Sequence, residues 1–315
     1  MKLNHAVTLY LKLREVNDSA SWSGAQVLKH FTKQIGASRQ LNSIQQEEVR
    51  TFLDGKGPLT RYWHRKHSAL LVFFHFALAR GFVSLIPLPV HSPKLRQTFQ
   101  PYVYTTDEIR RLIEAAKNAQ QARAQLDSPT LRMFLVLLYG TGLRLSEALH
   151  LKRTDVNLQE GLLTIRNSKF YKTRLVPIGP QLIRLLNGHI ENCQVRPNPL
   201  PTSALLTYRN GRPLGACCVR RAFIRLRSKA NIQGNHQSRY KPRLHDMRAT
   251  FAVHRLTAWY RDGADVQKLL PLLSTYLGHT SIAATQAYLT MTPELLAQAA
   301  NRFERYAETQ EVHHD

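Results

Sequence analysis

The sequence predicts a mainly α-helical chain in two domains, with a small antiparallel β-sheet in the second. Three observations predict it. Apolar residues recur at helical spacing through most of the 315 residues. Only the stretch from Val156 to Ile178 carries short strand-like runs. A proline-punctuated segment around Ile86–Pro93 separates a purely helical N-terminal part from the rest, and proline keeps such a segment extended.

In the first part, Leu3, Val7, Tyr10 and Leu11 mark one helix; Val27, Leu28, Phe31 and Ile35, closed by Gly36, mark a second; and residues 44–53 mark a short third. A strong fourth helix runs from Tyr62 through a Phe-rich half to Gly81. Arg61, Arg65 and Lys66 lie in its first turns, either as a solvated end or as phosphate contacts. The predicted division is 1–88 for the first domain, 89–103 for a linker and 104–315 for the second.

The second domain opens with Thr105 and Glu108 at capping-box spacing. Residues 131–139 are almost wholly apolar and read as a buried central helix, broken by Gly140-Thr141-Gly142. In the helix that follows, Arg144 and Glu147 share a face. Residues 162–166 and 173–178 form a hairpin with Lys169 and Lys172 near its tip, and residues 156–158 suggest a third strand. Arg221, Arg225 and Lys229 step along a basic helix, His245 and Arg248 stand one turn apart, and Arg243 is near them. A last helix begins at Thr292, with Leu295, Ala299 and Phe303 as its apolar stripe.

Lys and Arg total 44 against 21 acids, a formal charge of +23 spread over the whole chain. Such an excess repels itself unless a polyanion neutralises it, so nucleic acid is the expected partner. The three cysteines, two of them adjacent, form neither a disulfide framework nor a metal-ligand spacing, and the 14 histidines make no metal pattern; no metal or other cofactor is expected. No run of about 18 apolar residues predicts a membrane span. A cytoplasmic protein, nucleoid-associated when on DNA, is the expectation.

Cleaving a phosphodiester without a metal requires an in-line nucleophile, donors for the oxygens that gain charge, and a proton for the leaving oxygen. Arginine grips phosphate with a planar fork, histidine donates or relays near neutral pH, and lysine can deliver a proton. Tyrosine as nucleophile conserves the broken bond as a phosphate ester, which permits rejoining. Taken singly, His-x-x-Arg, Gly-His or a helical tyrosine is ordinary; the ordered set Arg144, Lys169, His245, Arg248, His279, Tyr288 on one basic chain is not.

The segments TGLRLSEALHL, SKFYKTRLVPI, LHDMRATFAVH and LGHTSIAATQAYLT resemble the tyrosine recombinase (phage integrase) family, and HSALLVFFHFALARGFVSLIPLP is similar to the last helix of its core-binding domain. The resemblance implies a helical, SAM-like core-binding domain and a catalytic domain that clamp DNA. It makes Tyr288 the nucleophile that forms a 3′-phosphotyrosine, with Arg144, His245, Arg248 and His279 around the phosphate, Glu147 in support, and Lys169 (or its neighbour Lys172) as general acid. It also implies a tetramer on two recombination sites, exchanging strands through a Holliday junction, with the last helix docked in a neighbouring protomer. Arg61, Arg65, Lys66, Lys172, Arg221, Arg225, Lys229 and Arg243 are the expected DNA contacts. Two departures stand out: a longer stretch between Arg248 and His279, and Phe170-Tyr171 at the hairpin tip. The rival readings are a type IB topoisomerase-like nicking-closing enzyme and a non-catalytic DNA-binding accessory protein.

Overall fold

The structure is a computed structural model that describes residues 1–16, 24–57, 59–94, 100–119, 126–166, 173–194, 204–234, 241–289 and 295–301. Its contacts divide the chain into two compact units, Met1–Phe99 and Gln100–Asp315.

The first unit is helical: α1 (Leu3–Val16), α2 (Gly24–Ile35), α3 (Gln46–Asp54) and α4 (Arg61–Ala79). Helix α2 ends at Gly36, whose φ of +107° suits a residue without Cβ. The hydroxyl of Thr60 caps α4 by accepting the Tyr62 N–H. Leu3, Val7 and Tyr10 of α1 meet Val27, Leu28 and Phe31 of α2 and Leu70, Phe73 and Phe74 of α4 in one core.

The second unit starts with α5 (Thr106–Lys117), entered through a reciprocal box between Thr105 and Glu108. Then come α6 (Ser128–Thr141) and α7 (Leu145–His150). Helix α6 is buried on most of its surface and packs against α5, α7 and α8 (Pro180–Gln194) and against α10 (Asp246–Arg261). Gly140 stays within α6, and the break comes at Gly142, in the left-handed region at φ +61°. A Cβ on Gly142 would lie 2.5 Å from Phe251 and 2.9 Å from Leu277, so glycine also lets three segments meet.

The sheet is antiparallel in the order β1 (Val156–Asn157), β2 (Leu162–Ile165), β3 (Arg174–Pro177). Its register pairs Leu163 with Val176 and Ile165 with Arg174. Each strand is shorter than the apolar run that predicts it. Helix α9 (Ala216–Lys229) carries the basic face, and α11 (Val266–Leu277) and α12 (Ala283–Gln286) complete the described helices apart from 295–301. The stretch between Arg248 and His279 forms the body of α10 and α11, which accommodates Pro271. Among the described residues no helix is long and apolar enough to cross a membrane.

Leu295 is buried in its own chain, in a cluster with Phe251, Leu256, Leu270, Leu273 and Leu277. The expected stripe of Leu295, Ala299 and Phe303 therefore begins inside this domain's core, contrary to a stripe wholly turned toward a neighbour. Thr292 and Phe303 lie outside the described residues.

Candidate active site

Three guanidinium groups converge on the C-terminal end of α11. The last carbonyls of a helix have no partner within it and carry the negative end of the helix dipole. Arg174 Nε donates to the Tyr276 carbonyl at 2.9 Å, Arg248 to the Leu277 carbonyl at 2.5 Å and Arg144 to the Gly278 carbonyl at 2.8 Å. Three successive carbonyls thus hold arginines from β3, α10 and the start of α7. Gly278 makes the approach possible: its φ is +66°, and a Cβ there would sit 2.9 Å from the Arg174 guanidinium.

Glu147 balances part of this charge. It is almost fully buried and accepts from Arg144 Nη1 at 2.8 Å, from the Arg144 backbone N–H at 2.8 Å and from both Nη atoms of Arg174 at 2.9 Å. Burial by itself would raise its pKa, but the hydrogen bonds from Arg174 and the Arg144 backbone prevail and hold it at about 2. The pair expected as neighbours on a helix face is thus a capping interaction and an ion pair at once, made in the interior.

Arg248 is 4% exposed and also donates to the Gly142 carbonyl at 2.9 Å. Loss of water and the facing Arg144 lower its pKa to about 10, which leaves it charged at neutral pH. His245 sits at the N-terminal boundary of α10, one turn ahead of Arg248. Partial desolvation and the Arg248 charge push its pKa down, favouring the neutral imidazole. Before it, Arg243 and the buried Asp246 form an ion pair at 2.8 Å that fixes the turn into α10. The Tyr104 hydroxyl adds a bond to the Arg243 carbonyl at 2.9 Å.

His279 follows directly on Gly278. Burial, then Arg248, Arg144 and Arg174, lower its pKa to about 4. Its Nδ1 lies 2.7 Å from the Thr285 hydroxyl, and its ring lies 6.0 Å from that of the half-buried Tyr288. Tyr288 is near enough to Arg248 to act on its charge.

The fold therefore gathers Arg144, Glu147, His245, Arg248, His279 and Tyr288 from four separate segments. Lys169 and Lys172 lie outside the described residues. Arg174 is the participant that the sequence reading passed over. Its signal was its place at the base of the lysine hairpin, facing Ile165 in the register. Among the expected DNA contacts, Arg61, Arg65, Arg221, Arg225, Lys229 and Arg243 are exposed. Lys66 is not: it is 7% exposed, its ammonium donates to the Phe52 carbonyl, and it lies over the Phe52 and Tyr62 rings. Burial lowers its pKa, and its position on the inner face of α4 turns it away from any phosphate on the surface.

The phage integrase family model matches residues 103–294. The chain is 36% identical over 250 residues to y4rB of Sinorhizobium fredii, named provisionally as an integrase/recombinase, covering 78% of each. It is 30% identical over 240 residues to the tyrosine recombinase XerD of Staphylococcus aureus, covering 75% of this chain and 74% of that one. It also shares its fold with lambda integrase as solved in a tetramer bound to a Holliday junction: TM-score 0.64, 16% identity, 91% of this chain and 77% of that chain. The chain belongs to the phage integrase family, the tyrosine recombinases.

Proposed function

We propose that this chain cleaves and rejoins DNA at specific sites, with Tyr288 as nucleophile. The observation that carries the reading is the convergence of Arg144, Arg248 and His279 on one turn, with Tyr288 beside the His279 ring. The arginines already hold carbonyls, and each retains further N–H groups for a phosphate. A phosphate there would replace part of the positive charge's lost hydration, and the donors would meet the oxygens that gain charge in the transition state.

In the proposed reaction Tyr288 Oη attacks phosphorus in line. The bond to the 5′ oxygen breaks, and a 3′-phosphotyrosine and a free 5′-hydroxyl result. His245, held neutral, is suited to take the tyrosine proton. Lys169 supplies the proton to the leaving oxygen on the strength of the family resemblance, with Lys172 as its alternative. Attack by a 5′-hydroxyl from the partner DNA reverses the chemistry and exchanges strands. The charge of +23 supplies the DNA affinity.

We assign residues 1–88 to DNA core binding, 89–103 to a linker and 104–315 to catalysis. The exposed Arg61, Arg65, Arg221, Arg225 and Lys229 are the proposed phosphate contacts. Strand exchange requires two sites and four protomers, as in the lambda integrase tetramer that shares this fold. Because Leu295 belongs to its own core, docking of the last helix in a neighbour would rely on residues beyond it, such as the exposed Leu296. The cytoplasm, on nucleoid DNA, is the proposed place of action.

The test is a nicked suicide duplex made from the DNA flanking this chain's coding sequence. The full chain should form a covalent complex that Tyr288→Phe abolishes. Relaxation of supercoils with no site preference would instead indicate a nicking-closing enzyme. Binding with no covalent product would indicate an accessory protein.

A further inference from the structure

The Nδ1 of His279 meets the hydroxyl of the fully buried Thr285. Thr285 lies on α12, and its carbonyl accepts the Tyr288 backbone N–H at 3.0 Å. The same residue thus touches both the histidine and the segment that carries the tyrosine.

A neutral imidazole has one N–H, and what faces one ring nitrogen decides which of the two carries it. His279 is surrounded by Arg144, Arg174 and Arg248, with the acid Glu147 opposing them, and burial adds to the arginines' effect in keeping it neutral. If Nδ1 carried the hydrogen, it would donate to the Thr285 oxygen. The hydroxyl hydrogen of Thr285 would then need a second acceptor at a site with no water contact. Among the described residues it has none: other helical threonines, such as Thr250 and Thr257, donate to the carbonyl four residues back, and Thr285 makes no such bond. Leaving a buried hydroxyl unsatisfied is costly. The arrangement that satisfies both groups has the Thr285 hydroxyl donating to Nδ1, which places the imidazole hydrogen on Nε2. Nε2 has no protein partner among the described residues.

We propose that Thr285 is a positioning residue that fixes His279 as the Nε2–H tautomer, so that this N–H is the one offered to a non-bridging oxygen of the scissile phosphate. The inference rests on the reading of His279 as a phosphate donor. Because Thr285 stands three residues before Tyr288, the donor is set when the nucleophile's own segment is seated.

The first test needs no DNA. The full chain labelled with 15N-histidine is examined by long-range proton–nitrogen correlation at pH 7, with the His279 signals assigned by their loss in His279→Gln. The expected pattern is that of Nε2–H; a Nδ1–H pattern in the unaltered protein overturns the proposal, whether or not any variant folds. The second test follows covalent-complex formation in a single turnover on the nicked flanking-DNA duplex. Thr285→Val should slow it by at least about tenfold, as loss of one preorganised donor does. DNA binding should be unchanged, and Thr285→Ser should stay near the parent rate. In the His279→Gln background, Thr285→Val should add nothing. An equal slowing with and without His279, or no slowing at all, overturns the proposal. If the unaltered chain makes no covalent complex on DNA, the recombinase reading of the site fails, while the tautomer result stands separately.

Discussion

Arg174 holds both carboxylate oxygens of Glu147, each at 2.9 Å, and its Nε reaches the Tyr276 carbonyl at the same distance. One side chain from β3 therefore ties the start of α7 to the end of α11. Both partners are well buried, with side-chain exposures of 10% and 5%. Among the described residues, Arg174→Ala would leave Glu147 with Arg144 as its one ion-pair partner. Loss of one member of a buried pair costs about 3–5 kcal/mol. Urea unfolding should show a loss of that order, and covalent-complex formation should fall with it. Arg174→Lys should recover little of either, because an ammonium cannot make the fork. A stability equal to the parent's would mean that the contact contributes nothing.

The glycine between helix and histidine is the second point of control. Gly278→Ala places a methyl group against the Arg174 guanidinium in a backbone region that costs an L-residue about 1–2 kcal/mol. The displaced guanidinium should loosen Glu147 and the turn that carries His279. Cleavage should fall by more than DNA binding, measured by comparing single-turnover rates with equilibrium binding of the same duplex. A rate unaffected by the change would show that the turn tolerates a side chain.

Acid should unfold the second unit in two overlapping stages. His279 has a folded pKa of about 4 against an ordinary 6.5, so between those values the unfolded chain binds more protons, and stability falls as pH falls through that window. Glu147 has a folded pKa of about 2 against 4.5, so its contribution is full above 4.5 and is lost as pH falls toward 2. His279→Gln should make the thermal-stability profile shallower between pH 6.5 and 4, leaving the contribution of His245, whose pKa is lowered too, and the loss below that window. An unchanged slope in the upper window would contradict a neutral His279.

Leu295 offers a direct check on the last helix. Truncating a fully buried leucine costs about 2–5 kcal/mol. Leu295→Ala should therefore lower the stability of the DNA-free chain at concentrations where it is monomeric. If the helix docked only in a neighbour, the monomer would be indifferent to the change, and only assembly on DNA would suffer.

The exposed face of α9 should act through phosphates. Arg221→Ala with Arg225→Ala should weaken binding to unrelated duplexes and to the flanking DNA alike, and reduce the slope of log affinity against log salt by about 2. Loss confined to one sequence would mean that these arginines read bases.

Sequence periodicity determined the helical plan and the hairpin, because amphipathic spacing and caps are local properties, and the ordered chemistry-bearing residues were legible as motifs that resemble one family. The charge of +23 pointed to a polyanion for the same reason: it is a sum that no folding alters. Tertiary structure decided what those residues touch. Lys66 and Arg65 are adjacent in sequence and alike in charge, yet one is buried against Phe52 and the other exposed, since only packing sets which face of α4 turns inward. Arg174 looked like an ordinary strand residue because its partners Glu147 and Tyr276 are distant along the chain. The meeting of three arginines on the last carbonyls of α11 depends on Gly142 and Gly278 admitting close approach, and that is a property of segments brought together, not of any one of them.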